Sequence, residues 1–486
     1  MTETQGVGVR TLRGMFWAYG SYVGGRLLVL VATALLARLL VPADFGLVAL
    51  ALAFIAFLEV AADLGLTQAL VIADDEQAAR RAHSVWTVSV LIGLASFALI
   101  SALAPLAASF FDQPALVGLM PALGLNLFLR SLGSTHYALA QKRLDFRTRT
   151  LAELADVLVR AAAGIGLALA GAGAWSLVIG YVVGTAAMTV ALWALVPWRP
   201  SVRLRRADLT GMISFGGALT AVNLLGAVLG VVDDLIVGRV LGAAKLGLYS
   251  LAYNLPQLVI INLSLVAGQV LFPAMASLER DALPRAFLTS LRYAMMVGLP
   301  LTVGLVVLAE PLLVGVFGSK WRAAAPAMQV MALWTLMSPI GIIIGTAYKS
   351  LGRADILLKL AIPQALVLIP AILVFVDRGI VAVAASQAAV AITFTAVAMF
   401  VAMRILSVSA RGILMSLWPA VVASAGMGAV MLPVTRALSS PWLTLLAGGA
   451  VGLLVYGSLL WLVARETLRD LLAKAFPGSK PREPAG

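Results

Sequence analysis

Residues 37–54, ARLLVPADFGLVALALAF, recur further along the chain as residues 238–255, GRVLGAAKLGLYSLAYNL. Without gaps, one constant offset pairs Gly46 with Gly247 and also pairs the arginine near the start of each copy. Matches between Ala and Leu arise easily by chance in apolar sequence, so the glycine and arginine pairs carry the comparison. The pattern indicates an internal repeat and therefore a fold with two similar halves.

Apolar stretches long enough to cross a bilayer surround both copies. A helix needs about 20 predominantly apolar residues to cross the hydrocarbon core. Six such stretches separate the copies, and an even number returns the chain to the same side of the membrane, so the copies share one orientation. The fourteen stretches are 14–40, 45–65, 84–111, 115–140, 151–171, 174–196, 211–241, 246–272, 287–318, 324–348, 355–376, 380–403, 413–435 and 441–464.

We therefore predict an all-α polytopic membrane protein with about 14 transmembrane helices. Two six-helix lobes, residues 1–208 and 209–404, are expected to be related by a pseudo-two-fold axis along the membrane normal, with a cleft between them. Residues 405–486 are expected to add two helices and a cytoplasmic tail. The linker PWRPSVRLRRAD (197–208) reads as a strap between the lobes, and RETLRDLLAKAF (465–476) as an amphipathic helix on the inner leaflet or a frayed tail.

The positive charges predict the orientation of the chain. Most of the 35 Lys and Arg residues fall in one alternate set of gaps between the stretches. Basic loops stay in the cytoplasm, which places both termini there. The other set of gaps holds only Lys245, Lys320, Arg322, Arg378 and Arg436.

Composition agrees with a membrane protein and excludes several classes of function. The chain is 62% hydrophobic and 12% charged, with a mean hydropathy of +1.01. Its net charge of +13 is assigned to orientation signals and contact with anionic headgroups, and no nucleic-acid partner is expected. The absence of cysteine excludes thiolate chemistry, and the absence of GxxxxGK[ST] excludes ATP hydrolysis by the usual route. His83 and His136 have no further ligand at metal-binding spacing, so no metal is expected.

Arginines inside the apolar stretches are the first candidates for binding a substrate. A charge at the bilayer centre costs at least about 2.5 kcal/mol and persists only where it is paired or hydrated. Arg26 lies in the middle of the first stretch and is interpreted as a cation for an anionic substrate group. The alternative, that it pairs structurally with Glu59 or Asp63, stays open.

Arg130 and Arg160 lie in the fourth and fifth stretches and are predicted to line the same cavity as Arg26. Asp156 is one helical turn from Arg160, so a salt bridge within the helix is the more ordinary interpretation for that residue. Arg38 and Arg239 lie at the ends of their stretches. They are interpreted as anchors that extend to the membrane surface.

Two adjacent carboxylates, Asp233 and Asp234, lie in the seventh stretch. Neighbouring carboxylates in a medium of low dielectric constant do not easily both ionise, which makes this pair a candidate for coupling to H⁺ or Na⁺. The alternative is that they pair with Arg239 or cap a broken helix.

Several segments of the sequence resemble those of a known family of membrane proteins. LARLLVPADFGLVALALAF (36–54), followed by DLGLTQALV (63–71), is similar to the opening of bacterial Wzx-type polysaccharide flippases. These belong to the multidrug/oligosaccharidyl-lipid/polysaccharide exporter superfamily. Later segments resemble the same family, namely YALAQKRLDFRTRT (137–150), DDLIVGRVLGAAKLGLYSLAYNLP (233–256) and AEPLLVGVFGSKWRAAAPAMQVMAL (309–333).

The resemblance implies a flippase rather than an enzyme. Such proteins move undecaprenyl-pyrophosphate-linked oligosaccharide repeat units from the inner to the outer leaflet of the bacterial inner membrane, for O-antigen, capsule or exopolysaccharide synthesis. The implied partners are this lipid-linked oligosaccharide, membrane lipids and a polysaccharide polymerase or export machinery. No cofactor is implied beyond a coupling ion. Arg26, Arg130 and Arg160 would meet the diphosphate through bidentate hydrogen bonds.

Other functions stay open on the sequence. A peptidoglycan lipid-precursor flippase or a cation-coupled drug antiporter of the same superfamily would share the two lobes. A polysaccharide polymerase or ligase is expected to carry a sizeable outer loop, and the outer loops here are short. A structural scaffold would not explain charges inside the spans.

Overall fold

Helices form nearly all of the regular structure. The computed structural model describes residues 24–25, 28–63, 66–205, 226, 229–261, 271–272, 275–353 and 355–465, and within these ranges there is no strand. The chain divides into two compact units, Met1–Ser250 and Leu251–Gly486. The three-part division at residues 208 and 404 stays a prediction.

The described helices follow one another with short connections. In chain order the first are α1 (Leu28–Leu39), α2 (Pro42–Asp63), α3 (Leu66–Ile72), α4 (Asp75–Phe111), α5 (Leu116–Lys142), α6 (Phe146–Leu169), α7 (Ala174–Leu195), α8 (229–241) and α9 (Ala243–Pro256). After them come α10 (Leu283–Leu312), α11 (Ala325–Thr335), α12 (Met337–Ser350), α13 (Asp355–Phe375), α14 (Ile380–Leu406), α15 (Ala410–Ala437) and α16 (Pro441–Val463).

Many of these helices are long and apolar enough to cross a membrane, so the protein is a multi-pass helical membrane protein. The predicted count of fourteen and the cytoplasmic termini stay predictions, because four of the predicted stretches extend beyond the described residues. Helix α6 is not among the helices apolar enough to cross a membrane, since it carries Glu153, Asp156 and Arg160. Within the described residues the set comprises Asp75–Phe111, Leu116–Lys142, Ala174–Leu195, Leu283–Phe317, Ser319–Ser350, Asp355–Arg378, Ile380–Leu406, Ala410–Ala437 and Pro441–Val463.

The connection between α5 and α6 is fixed by a helix cap. Asp145 accepts a hydrogen bond from the backbone N–H of Thr148 at 3.0 Å and another from its hydroxyl at 2.7 Å. The first of these satisfies a backbone donor that the helix leaves unpaired. Both bonds favour the ionised carboxylate, and they lower the pKa of Asp145 below its ordinary value.

The two repeat copies contact each other in a reciprocal way. A Cβ atom on Gly46 of α2 would overlap the carbonyl oxygen of Ala243, and one on Gly247 of α9 would overlap that of Pro42. Ala243 is the repeat counterpart of Pro42, as Gly247 is of Gly46. A contact in which each copy offers the same glycine and the same carbonyl is the signature of a local two-fold axis. The repeat is therefore visible in the packing as well as in the sequence.

The segment that follows α7 folds back along two helices. The backbone N–H of Ser201 donates to Nδ1 of His83 on α4 at 3.1 Å. The carbonyl oxygen of Trp198 accepts from Nε2 of His136 on α5, at 3.2 Å. His136 is fully buried and stacks on Trp193 with ring centroids 4.9 Å apart. Both histidines thus hold the described part of the predicted strap against the first unit.

Candidate functional site

An ion pair between helices α2 and α5 is the central feature of the first unit. Nη1 of Arg130 donates to Oε1 of Glu59, although the two residues are 71 positions apart in sequence. The Arg130 side chain keeps 67% of its surface exposed and the Glu59 side chain keeps 40%. The pair is therefore accessible to a third group rather than enclosed by protein.

The depth of this pair follows from the helices that carry it. Lys142 at the end of α5 contacts the carbonyl oxygen of Ala73 and lies 3.1 Å from Asp75, so α3 and α5 end at one level. Arg130 lies about 18 Å of helix before Lys142, at 1.5 Å per residue, and so near the middle of α5, which is long enough to cross a membrane. An exposed guanidinium at that depth does not face hydrocarbon cheaply. We infer that Arg130 and Glu59 face hydrated space.

Arg160 has a different environment between α6 and α7. Its guanidinium pairs with Asp156 one turn earlier on α6 and lies over the ring of Tyr181, 4.3 Å from the centroid. A Cβ on Gly184 of α7 would overlap Oδ1 of Asp156, so the small residue makes room for the pair. Arg130 and Arg160 thus have separate acidic partners, and Arg160 is packed between helices with 34% of its side chain exposed.

The remaining candidate arginines are placed as follows. Arg26 lies outside the described residues, and so does the side chain of Asp63. Arg239 at the end of α8 lies over the ring of Phe110, 5.1 Å from its centroid, which places its charge beside an aromatic face. Arg322 pairs with Glu310 at 3.0 Å, and both side chains are more than half exposed.

The adjacent carboxylates of α8 are set apart by their surroundings. Asp233 is only 3% exposed, and its Oδ2 accepts a hydrogen bond from the hydroxyl of Tyr249 on α9 at 2.7 Å. Tyr249 is itself fully buried. A buried carboxylate that is hydrogen-bonded by a neutral donor can hold either a proton or a cation.

Three partners of these charges were missed by reasoning from sequence. The sequence suggests Glu59 as a partner for Arg26 rather than for Arg130, because the register between α2 and α5 cannot be read from either helix alone. Tyr181 and Tyr249 carried no signal, since a tyrosine in an apolar stretch is more often a packing residue. The pairing of Arg160 with Asp156 had a local signal, their spacing of one helical turn.

The long apolar helices define a multi-pass membrane protein, and the pair formed by Arg130 and Glu59 is exposed on it. Residues 35–326 match the sequence profile of the family described as polysaccharide biosynthesis protein. The match covers more than half of the chain, and the chain belongs to this family. The resemblance to Wzx-type flippases of the exporter superfamily is confirmed by the relatives described next.

Named relatives carry out polysaccharide biosynthesis or transport. The chain is 28% identical over 504 residues to ExoT, the succinoglycan biosynthesis transport protein of Rhizobium meliloti (strain 1021), covering 100% of this chain and 99% of ExoT. It is 27% identical over 371 residues to the lipopolysaccharide biosynthesis protein WzxC of Escherichia coli (strain K12), covering 75% of this chain and 74% of WzxC. The match to the teichuronic acid biosynthesis protein TuaB of Bacillus subtilis (strain 168), at 27% identity, covers 59% of this chain and only 60% of TuaB.

Solved structures show the same fold at low identity. The lipid II flippase MurJ, in an inward closed conformation, matches with a TM-score of 0.76 and 16% identity, covering 93% of this chain and 100% of that chain. An inward-facing multidrug resistance transporter of the MATE family matches with a TM-score of 0.61 and 15% identity, covering 79% of this chain and 94% of that chain. The protein therefore has the fold of this exporter superfamily.

Proposed function

We propose that this protein is a flippase that moves undecaprenyl-pyrophosphate-linked oligosaccharide repeat units across the bacterial inner membrane by alternating access. It acts as a transporter rather than as an enzyme. The family and the names of its relatives support a role in polysaccharide export. The repeat units that it moves are used to build an O-antigen, a capsule or an exopolysaccharide.

The observation that carries the proposal is the exposed Arg130, which pairs with Glu59 near the middle of α5. A guanidinium offers several N–H donors in a planar fork that matches phosphate oxygens, and its charge persists at any physiological pH. Such a group suits a diphosphate that must leave water to cross the membrane. The polyprenyl chain can stay in lipid while the polar head passes the cation.

Coupling to an ion gradient is assigned to Asp233 and Asp234. Asp233 is buried and held by Tyr249, and Asp234 adjoins it on α8. Two neighbouring carboxylates bind H⁺ or Na⁺ more readily than one, because a cation relieves their mutual repulsion. The same pair gives the protein a way to draw on the proton or sodium gradient.

The test follows the lipid-linked repeat unit across the membrane. In a strain with no other flippase for this substrate, the repeat unit is labelled with a radioactive sugar and exposed in spheroplasts to a membrane-impermeant oxidant. With the wild-type protein, the label is expected to become accessible from outside. Arg130→Gln is expected to leave it inside, whereas Arg322→Gln, which removes a charge from an exposed pair, should behave as wild type.

Two results would reject this function. One is label that reaches the outer leaflet at the normal rate in the strain lacking the protein. The other is loss of lipid II movement instead of repeat-unit movement, which would make the protein a peptidoglycan-precursor flippase. If the protein were a drug antiporter, its removal would leave the movement of both the repeat unit and lipid II unchanged. It would instead change the accumulation of organic cations.

A further inference from the structure

The pair formed by Glu59 and Arg130 poses a charge conflict for the substrate named above. Glu59 already supplies a carboxylate oxygen to Nη1 of Arg130, and together the two side chains are neutral. A diphosphate brought to Arg130 would place further negative charge beside an ionised Glu59. Both anions would then compete for the same guanidinium at close range, and like charges placed side by side repel.

We propose that Glu59 is an internal substitute for the substrate phosphate, and that diphosphate binding exchanges one anion for the other on Arg130. The displaced carboxylate takes one proton from the surrounding water and becomes a neutral carboxylic acid. When the diphosphate leaves, Glu59 returns that proton to water and rejoins Arg130. No covalent bond to the substrate forms or breaks. This inference rests on the proposed function, because it needs a phosphorylated lipid carrier as the incoming anion.

The geometry allows such an exchange. The contact with Glu59 uses Nη1 of Arg130, and 67% of the arginine side chain stays exposed. A second anion can therefore approach the guanidinium before the first has left. Glu59 is 40% exposed, which lets water reach the carboxylate and supply its proton.

Among the described residues of the helices that pack on α2, Arg130 is the charged group paired with Glu59. Helix α2 packs on α4, α5 and α7. Between Ser84 and Phe111, α4 has no Asp, Glu, His, Lys or Arg in its sequence, and Tyr181 is the one titratable residue of α7. On α5 the other titratable residues, His136, Tyr137 and Lys142, lie toward its far end. On α2 itself, Asp63 is one turn away, with its side chain outside the described residues.

A matched pair in the same unit provides the control. Arg160 and Asp156 have the same chemistry as Arg130 and Glu59, but the guanidinium of Arg160 is covered by the ring of Tyr181. Neutralising Asp156 should therefore not open a site for an incoming anion. Comparing variants of the two pairs therefore distinguishes the general effect of removing a carboxylate from the specific exchange of anions on Arg130.

The experiment measures binding of undecaprenyl diphosphate, without sugar, to the purified full-length protein in nanodiscs. Titration calorimetry in buffers of different ionisation enthalpy counts the protons taken up, and the dissociation constant is measured from pH 6 to pH 9. The wild type is expected to take up about one proton per lipid, and its affinity should therefore fall as the pH rises. Glu59→Gln should bind at least about tenfold tighter at high pH, with no proton uptake. Asp156→Asn should match the wild type.

Each outcome decides between the two proposals. A wild type that binds the lipid without taking up a proton, or a Glu59→Gln protein with unchanged or weaker affinity, overturns the exchange and leaves the flippase function intact. A wild type that does not bind undecaprenyl diphosphate overturns both. The pH titration of the wild type needs no variant, so the inference stays testable even if Glu59→Gln does not fold.

Discussion

The hydroxyl of Tyr249 donates to Oδ2 of Asp233 across 2.7 Å, and both residues are buried where α8 meets α9. One oxygen of the carboxylate is thereby held by a neutral donor. The hydroxyl orients the carboxylate but carries no charge of its own, which suits the ion-coupling role proposed for Asp233.

We expect Asp233→Asn to abolish the dependence of transport on an ion gradient, because an amide keeps the shape but neither releases a proton nor binds a cation with a full charge. Tyr249→Phe should weaken that dependence only in part, since it removes the orienting bond and leaves the charge. Repeat-unit translocation in vesicles with an imposed pH or sodium gradient measures both. The control is Asp377→Asn, at an exposed carboxylate. Full gradient dependence in Asp233→Asn would remove this residue from the coupling role.

Substitution of either glycine of the repeat contact should destabilise the protein. Gly46→Ala and Gly247→Ala each place a methyl group against a backbone carbonyl, and the expected cost is about 1–3 kcal/mol apiece. Thermal unfolding of purified protein in detergent measures it. Gly166→Ala on α6 is the control, because nothing lies within 4 Å of a Cβ there. The double variant should cost less than the sum, since both methyl groups open the same contact. Additive losses would argue against one shared interface.

The helix cap at Asp145 gives a pH-dependent contribution to stability. Its pKa is lowered in the folded protein, so the stabilisation is complete above the unfolded value, near 3.9, and is lost as the pH falls through the lower folded value. Asp145→Ala should cost about 1 kcal/mol at neutral pH. Asp145→Asn should keep most of the cap but remove its acid dependence. Unfolding midpoints from pH 3 to pH 7 test this; equal acid sensitivity in the Asn variant would contradict it.

Replacing Arg130 by lysine tests the planar fork rather than the charge. Lys keeps the cation but cannot form two parallel bonds to one phosphate group, and we expect export to fall at least about tenfold, the cost of roughly one charge-assisted hydrogen bond. Arg322→Lys, in the exposed pair with Glu310, should leave export unchanged. Polymer yield in a strain lacking the chromosomal gene is the measurement. An active Arg130→Lys protein would show that a point charge is sufficient.

Arginines at different depths of the first apolar stretch should differ in their importance for export. Arg26→Ala is expected to abolish export, because its position in mid-stretch predicts contact with the substrate anion. Arg38→Ala, at the end of the stretch, should retain export. The same polymer assay compares the two, with protein levels matched by immunoblot. Equal effects would remove the substrate role assigned to Arg26.

The sequence predicts the helical class, because hydropathy and the spacing of basic residues are properties of the chain alone. The family followed from the resemblance of segments such as residues 36–54 to Wzx-type flippases. The sequence also predicts the pair of Arg160 with Asp156, whose partners share one helix. The pair of Arg130 with Glu59 depends on how two helices are rotated against each other. No periodicity within α2 or α5 encodes that rotation, so the partner of Arg130 required the structure.

The ends of the helices also show which features can be predicted from the chain alone and which require the structure. Helix α4 begins at Asp75 rather than near residue 84, since Asp75 and Glu76 suit a helix N-terminus and extend it beyond the apolar stretch. Hydropathy marks only the part of a helix that lies in lipid. The strap was predicted from its prolines and arginines, but its attachment to His83 and His136 was not, because those contacts join distant parts of the chain.

The reciprocal glycine contact has a consequence for the origin of the chain. Each copy of the repeat offers both a glycine and the carbonyl oxygen that the other copy's glycine packs against. A half-length polypeptide with a single copy would thus carry a self-complementary contact, in which two identical molecules could face each other. Gene duplication and fusion would then preserve an interface that a homodimer had already formed, leaving each half free to acquire its own charges.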